Sequence, residues 1–448
     1  MTCKVGMVSL GCPKNQMDAE LMLAKLEQAG FELVAESGLA DVVIVNTCGF
    51  IEDAKKESIE NILEFAQLKQ EGRIQRIIVT GCLAERYQEE LVTELPECDG
   101  VLGLGANGDI VEAVRRVMGG EKTVRFPAKD CWSLEGDRLQ TTPSFFAYLR
   151  IGDGCNNCCT YCAIPSIRGA HRSVPMEAIV AEAESLAKEG VKELILIAQD
   201  TTYYGLDLYR RRALAELIRR LSAVSGIEWI RIHYSYPADF PEDVLVEMAE
   251  NPKVCKYLDI PLQHVSDKVL DKMRRHVDGE WTRTLVRRLR EEVPGVVLRT
   301  TMIVGHPGEG RKEFAELLDF VREAGFERLG AFEYSEEEGT FGAENYRDSV
   351  PRKEKARRLA ELMRVQSGIS LAFNESRVGK TERVMVDDYA DGVLVCRSRY
   401  ESPEVDGEIV VRYDGHDFGG KTPEELCGSF IDVRITGADE YDLIAVPV

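Results

Sequence analysis

Three times in its first 82 residues the chain runs from a short apolar stretch straight into a cysteine: VGMVSLG before Cys12, VVIVNT before Cys48 and RIIVTG before Cys82. An amphipathic segment separates each stretch from the next. The unit therefore reads as strand then helix, and its recurrence predicts a parallel α/β layer over residues 1–118. In such a layer the carboxyl ends of the strands share one edge, where ligand-binding loops gather. Taken singly, each cysteine is more often a small buried hydrophobe. Three at equivalent strand ends point instead to one shared site, a cluster held by three thiolates. The spacing of these strand ends suits βα units and not a solenoid array.

The second cysteine constellation is local. GCNNCCTYCAIP sets Cys155, Cys159 and Cys162 in C-x3-C-x2-C spacing, just after the predicted strand AYLRI. A loop of this kind wraps one [4Fe-4S] cubane. Three thiolates leave the fourth iron open to a substrate, whereas an electron-carrying cluster commonly has four protein ligands. Cys158 opens an alternative triad, Cys155, Cys158 and Cys162, able to hold zinc or another cluster. The first spacing is preferred, with Cys158 as an extra thiol that oxidises when the cluster is lost. The chain has 13 cysteines, an odd number. Its opening, MTCKVGMVSLGC, lacks the basic segment and long apolar run of an export signal. Metal or redox use is thus the better reading than a disulfide framework, and the cytoplasm is the expected compartment.

The remaining 448-residue chain divides by pattern. Residues 119–144, with Gly119, Gly120, Pro127 and Pro143, read as a linker. Residues 145–375 carry six candidate strands (AYLRI, ELILIAQD, WIRIHYS, YLDIPLQ, VVLRTTMIVG and RLGAFEYS) with helical segments in most intervals, which predicts a complete or partial barrel. Residues 376–448 change to five short β-rich runs and predict a small all-β, OB-like module. Lys plus Arg total 56 against 77 Asp plus Glu, a net charge of -21. That excludes a large generic phosphate-binding surface and favours a basic partner. No membrane span and no direct DNA binding are expected.

LGCPKNQMDAE, NTCGFIEDAKKES, TGCLAERY, CAIPSIRGAHRS, LILIAQDTTYYGLDLY, PLQHVSDKVLDKMRR and TGADEYDL together resemble the methylthiotransferase family of radical S-adenosylmethionine (SAM) enzymes over almost the whole chain. Within it they resemble the branch that modifies an aspartate of ribosomal protein uS12. The MiaB branch, which modifies a transfer RNA adenosine, typically has CQMN after the first cysteine and a serine after the second, where this chain has Pro13-Lys14-Asn15 and Gly49. Two departures are Cys158, where a basic or polar residue is usual, and His306, where an aromatic is common.

The resemblance implies a fold of an α/β N-terminal domain, a central radical-SAM partial (β/α)6 barrel and a C-terminal TRAM domain. It implies two [4Fe-4S] clusters, an auxiliary one on Cys12, Cys48 and Cys82 and a radical-SAM one on Cys155, Cys159 and Cys162. The expected reaction places a methylthio group on the β-carbon of a uS12 aspartate. That carbon is unactivated, so hydrogen abstraction by a 5'-deoxyadenosyl radical is the appropriate route. One SAM would donate the methyl group and a second would be the radical source. A low-potential flavodoxin or ferredoxin is the expected reductant.

Gln199, Asp200, Gly305 and Gly308 fall at strand ends and are candidates for SAM contact, against helix capping and tight turns as the plainer explanations. Arg168, His171 and Arg172 are candidates for the substrate carboxylate, or equally a solvated positive face. GLGANG (103–108) formally matches a dinucleotide fingerprint but lacks its context. His233 and His264 either line the site or are satisfied core histidines. Cys3, Cys98, Cys131, Cys255, Cys396 and Cys427 share no spacing and read as structural. From Asn374 to Val448 there are 8 Lys plus Arg and 17 Asp plus Glu, so the last module is expected to dock a basic protein and not RNA. A passive iron–sulfur carrier or scaffold is the alternative of another class; two three-cysteine sets disfavour it.

Overall fold

The computed structural model describes residues 3–412 and 415–448. Its first sheet has six parallel strands, β1 (Lys4–Ser9), β2 (Glu32–Val34), β3 (Val42–Thr47), β4 (Arg76–Gly81), β5 (Gly100–Leu102) and β6 (Thr123–Arg125), in the order β2-β1-β3-β4-β5-β6. Every residue of β3 is buried, as a near-continuous apolar run requires when helices cover both faces of a parallel sheet. The two faces carry separate cores. One is built around Val43, Val45, Ile77 and Val79, the other around Ile44, Ile78, Leu102 and Val114. Strands β2, β5 and β6 are three residues each, too short to show a period. Within 119–144, β6 extends the first sheet, Trp132 is buried, and Arg138 and Thr141 hold Glu20. This stretch is laid along the first domain by specific contacts.

The second sheet pairs β7 (Phe146–Arg150), β10 (Glu193–Ile197), β11 (Trp229–Ile232), β12 (Val254–Asp259), β13 (Val297–Val304) and β14 (Arg328–Glu333), all parallel, in the order β14-β13-β12-β11-β10-β7. Its edges do not pair with each other, so it is a partial barrel. Between β7 and β10 a small antiparallel pair, β8 (Gly152–Asp153) and β9 (Arg172–Ser173), clasps the base of the loop that carries Cys155 to Cys162.

The helix Arg352–Glu375 packs along β14 and leads to a closed five-stranded barrel. Its strands are β15 (Thr381–Ala390), β16 (Val393–Ser398), β17 (Ile409–Arg412), β18 (Phe430–Ala438) and β19 (Leu443–Pro447), in the order β15-β16-β17-β19-β18. The joint to the large sheet is ionic and buried. Glu401 takes Arg328 (3.0 Å) and Arg377, Glu193 takes Arg231 (2.8 Å) and Arg397, and the Tyr148 and Tyr257 hydroxyls donate to Glu404 and Asp406. Several acids of the last module are therefore spent inside the protein.

Burial opposes the charged form of Glu401, yet Arg377 and Arg328 outweigh it and bring the carboxyl down from its ordinary 4.5 to about 2. A depressed carboxylate stabilises the fold above its unfolded pKa, and that contribution is lost as pH falls through the folded value. We expect Glu401→Gln to cost about 3 kcal/mol at neutral pH by taking from the buried Arg328 the only carboxylate that pairs with it among the described residues, while Arg377 keeps Glu382. The variant should also lose part of the wild-type decline in stability between pH 4.5 and 2. Urea midpoints measured across that range check both expectations.

Candidate functional site

β1, β3 and β4 are neighbours in register, with Ser9 opposite Asn46 and Thr47 opposite Gly81. Cys12, Cys48 and Cys82 each follow one of these strands, at the end where helices Pro13–Gln28 and Cys82–Glu94 begin. The convergence is built by side chains. The Asn15 amide donates to the carbonyls of Leu10 (2.9 Å) and Thr47 (2.8 Å), and Asn46 donates to the Asn15 carbonyl (2.7 Å). Gly81 at φ +94° lies so close that a β-carbon there would sit 2.6 Å from the Asn46 side chain. A β-carbon on Gly11 would meet the Cys48 sulfur at 2.8 Å. The three thiols are near enough to feel one another, and burial pushes Cys82 up to about 12.

Among the described residues no three His, Cys, Asp or Glu side chains are set to share a single metal ion. A cubane asks for something else, since each thiolate takes a different iron and the sulfurs stand apart. Buried thiols that resist ionisation as bare groups suit a polynuclear cation, which deprotonates coordinating thiols outright. The donor set fits an iron–sulfur cluster.

The second triad lies across the domain boundary. Burial pushes Cys155 up to about 11, and Cys162 is also raised, by burial first and then by its neighbours Cys159 and Cys155. Arg275 donates to the Cys159 sulfur (3.4 Å) and the Tyr161 hydroxyl (3.3 Å), so that sulfur already has a buried cation beside it. Cys158 is exposed, at φ +50°. Ala163 and Ile167, just past Cys162, pack directly on Cys82 and Leu104 of the first domain. The two cysteine sets thus face one interface.

Arg168 closes that interface. Its guanidinium donates to Asp153 (3.1 Å), to Asp18 (2.9 Å) and to Asn15 (2.8 Å), and lies 3.7 Å from the Cys82 sulfur. Arg150 completes the set on Asp18 at 2.5 Å. Burial works against the Asp153 carboxylate, but Arg168 and then Arg150 bring it down to about 2. The basic run therefore is not a solvated face, and Arg168 has its fork fully used. His171 is buried against Tyr203 with its Nε2 on the Ser173 hydroxyl, and Arg172 donates to the carbonyls of Trp132 and Lys129.

Asp200 accepts from the Thr202 N–H and hydroxyl as a helix cap, and also from Asn157 of the cluster loop (2.8 Å). Gln199 donates to Asp153, while its buried Oε1 has no partner. Gly305 and Gly308 have φ +78° and +104°, and lysine stems fill the space above them: Lys355 over Gly305, and Lys272 2.7 Å from a β-carbon on Gly308. Both glycines take backbone conformations that suit a tight turn, each with a lysine stem packed above it. In GLGANG, Glu85 accepts from the Leu104 N–H and the Pro127 and Ala128 carbonyls crowd Gly105, which leaves no cradle for a phosphate.

His233 bonds Ser402 (2.9 Å), and burial, with Arg231, Arg299 and Lys14 nearby, holds it well below its ordinary pKa. His264 accepts from the Ser266 N–H at Nδ1. Both are core histidines. Burial brings His306 down to about 4, and this neutral ring stands edge-on to Tyr334, Tyr161 and Tyr346. It does an aromatic's work, which accounts for its presence where an aromatic is common.

Sequence reasoning overlooked Asp18, Arg150, Asp153, Arg275 and the Lys14–Tyr234 pair. Tyr234 had no signal. Lys14 did, as a basic residue in the first turn of a helix, against the dipole.

Profile comparison matches residues 149–321 to the radical SAM superfamily, residues 4–103 to the uncharacterized protein family UPF0004, and residues 378–448 to the TRAM domain. Relatives include a ribosomal protein uS12 methylthiotransferase, RimO, from Bacteroides fragilis, 45% identical over 98% of each chain. The RimO of Lachnoclostridium phytofermentans is likewise 45% identical, over 98% of this chain and 99% of that one. Among solved structures, the radical SAM methyltransferase TsrM from Kitasatospora setae, with cobalamin and a [4Fe-4S] cluster bound, superposes with a TM-score of 0.57. It is 16% identical, over 95% of this chain and 84% of that one, a likeness of fold.

Replacing Arg168 with Met should cost about 3 kcal/mol, because Asp153 would keep only Gln199 and Asp18 would be left to Arg150 and Trp132. Lys should restore little of it, for want of the planar fork. Thermal unfolding, with limited proteolysis between the first two domains, measures the loss.

Proposed function

The chain belongs to the RimO family of ribosomal protein uS12 methylthiotransferases, and from that we propose that it attaches a methylthio group to the β-carbon of an aspartate in uS12. The observation that carries the reading is the pairing of two cysteine triads across one buried interface, with Cys82 packed on Ala163 and Ile167 just past the loop of Cys155 to Cys162. A passive carrier has no need of that pairing.

In this reading Cys12, Cys48 and Cys82 hold one [4Fe-4S] cluster, and Cys155, Cys159 and Cys162 hold the other. When bound, the second supplies the electron that cleaves SAM and the first supplies the transferable sulfur. The chain's own residues do the rest. Asn15, Asn46 and Gly81 hold the three strand-end loops together. Arg275 places positive charge against Cys159 and is itself fixed on the Pro261 carbonyl, and Arg168 keeps the two loops at constant separation. Asn157 and Asp200 brace the loop beside Gln199, whose unpartnered Oε1 is available to a SAM donor group.

The domain assignment that goes with this function is residues 1–118, a linker over 119–144, a radical SAM domain over 145–375 and a TRAM domain over 376–448. A low-potential flavodoxin or ferredoxin would deliver the electrons, and action on a ribosomal protein supports the cytoplasm as the enzyme's compartment. No helix is long and apolar enough to cross a membrane among the described residues.

The test is anaerobic turnover of the reconstituted chain with SAM and reductant, offering uS12 and transfer RNA separately and reading both by mass spectrometry. A methylthio adduct on one uS12 aspartate supports the proposal, and an adduct on adenosine overturns it. Cys82→Ala should abolish the adduct while 5'-deoxyadenosine still forms; Cys159→Ala should abolish both. Asp391, Glu424, Glu425 and Asp432 remain exposed on the last module. Neutralising all four should weaken uS12 binding about tenfold at low salt and less at high salt, measured by titration.

A further inference from the structure

One buried cation at the domain interface has no carboxylate partner among the described residues. Lys14 is the second residue of the helix that follows Cys12, and only 7% of it is exposed. Its ammonium stands 3.2 Å from the centroid of the Tyr234 ring. Among the described residues no carboxylate oxygen lies within 4.0 Å of it. Lysine is rarely buried unless paired, and here it also opposes the positive end of a helix dipole. The Tyr234 ring offsets only part of the cost of that position.

The groups around it show where it points. Tyr234 follows β11, at the carboxyl end of the barrel strands, and its hydroxyl feels both Lys14 and Cys12. His233, beside it, is neutral and faces Arg231, Arg299 and Lys14. Asp259, at the end of the adjacent strand β12, is already taken by Arg299 (2.9 Å) and the Tyr234 N–H (3.2 Å). Cation and aromatic face are thus presented together next to a cysteine of the first triad, on the side of the barrel where reacting groups gather. The complementary ligand is a single carboxylate that enters from outside.

Resting on the uS12 reading, we propose that Lys14 binds the carboxylate of the target aspartate. In an aspartate the β-carbon is bonded directly to the carboxylate carbon. An ammonium grip on the carboxylate therefore fixes the reacting atom within one bond length, beside Cys12 and across from the Cys155 to Cys162 loop. A charge-assisted hydrogen bond to an ammonium also disfavours an uncharged residue of the same shape. Lys14 is a specificity-determining residue in this scheme, and Tyr234 holds it in place.

The test is a double-mutant cycle on the reconstituted full chain under anaerobic conditions. Binding of uS12, and of uS12 with its target Asp changed to Asn, is measured for wild type, K14M and K14R, alongside iron content and the adduct formed. We expect wild type to prefer the aspartate form by about thirtyfold or more. K14M should bind the two forms alike, within about twofold, with its iron content unchanged, and K14R should keep a preference. If K14M discriminates as well as wild type, or loses the first cluster instead, the proposal is overturned. If wild type neither binds nor modifies uS12, the uS12 reading fails at its own control and this assignment falls with it.

Discussion

Two arginines and two aspartates, all nearly or wholly inaccessible to water, hold this protein's first two domains together: Arg168 and Arg150 with Asp18 and Asp153. Removing a charge from water costs several kcal/mol even after relaxation, so such a set is tolerable only when complete and fully hydrogen-bonded. Here Asp18 also accepts from the Trp132 indole and Asp153 from Gln199. The four charged residues come from the helix after Cys12, the end of β7, β8 and the end of the cluster loop. Satisfying the charges therefore forces the two cysteine sets to one interface. The apolar contact of Cys82 with Ala163 and Ile167 has room only once that geometry is reached.

The same economy governs the third domain. Its acids outnumber its bases, which suggests a surface for a basic partner, but Glu401, Asp406 and Asp387 turn inward onto Arg328, Tyr257 and Arg397. Composition counts charges without saying which are paired. Asp391, Glu424, Glu425 and Asp432 are among the acids that stay exposed, on a barrel locked to the catalytic domain. A partner that docks there is held at a fixed distance from the cysteine loops.

Lys14 stands out against this background because the other buried cations of the interface are matched. Arg168, Arg150, Arg299 and Arg275 each meet a carboxylate, a carbonyl or a sulfur within hydrogen-bond reach. An ammonium against an aromatic face is partly compensated, but an incoming anion still gains more there than in water.

The sequence by itself determined the strands and the ligands. Runs of Val and Ile have one low-energy use in a buried parallel sheet, and cysteines placed just after such runs must come to its carboxyl edge, so the convergence of Cys12, Cys48 and Cys82 was legible before any coordinates. The C-x3-C-x2-C loop and the five strands of the last module were equally local. Three-residue strands such as β2 and β6 were not, since two or three residues carry no period. Nor were the roles of Arg168, Gly305 and Gly308, which depended on what lay opposite them: carboxylates from another domain in one case, lysine stems in the others. Local pattern is set by backbone and side-chain preference within a few residues. Which charges are neutralised, and which one is left waiting for a ligand, is decided only when distant segments are packed into the same dry space.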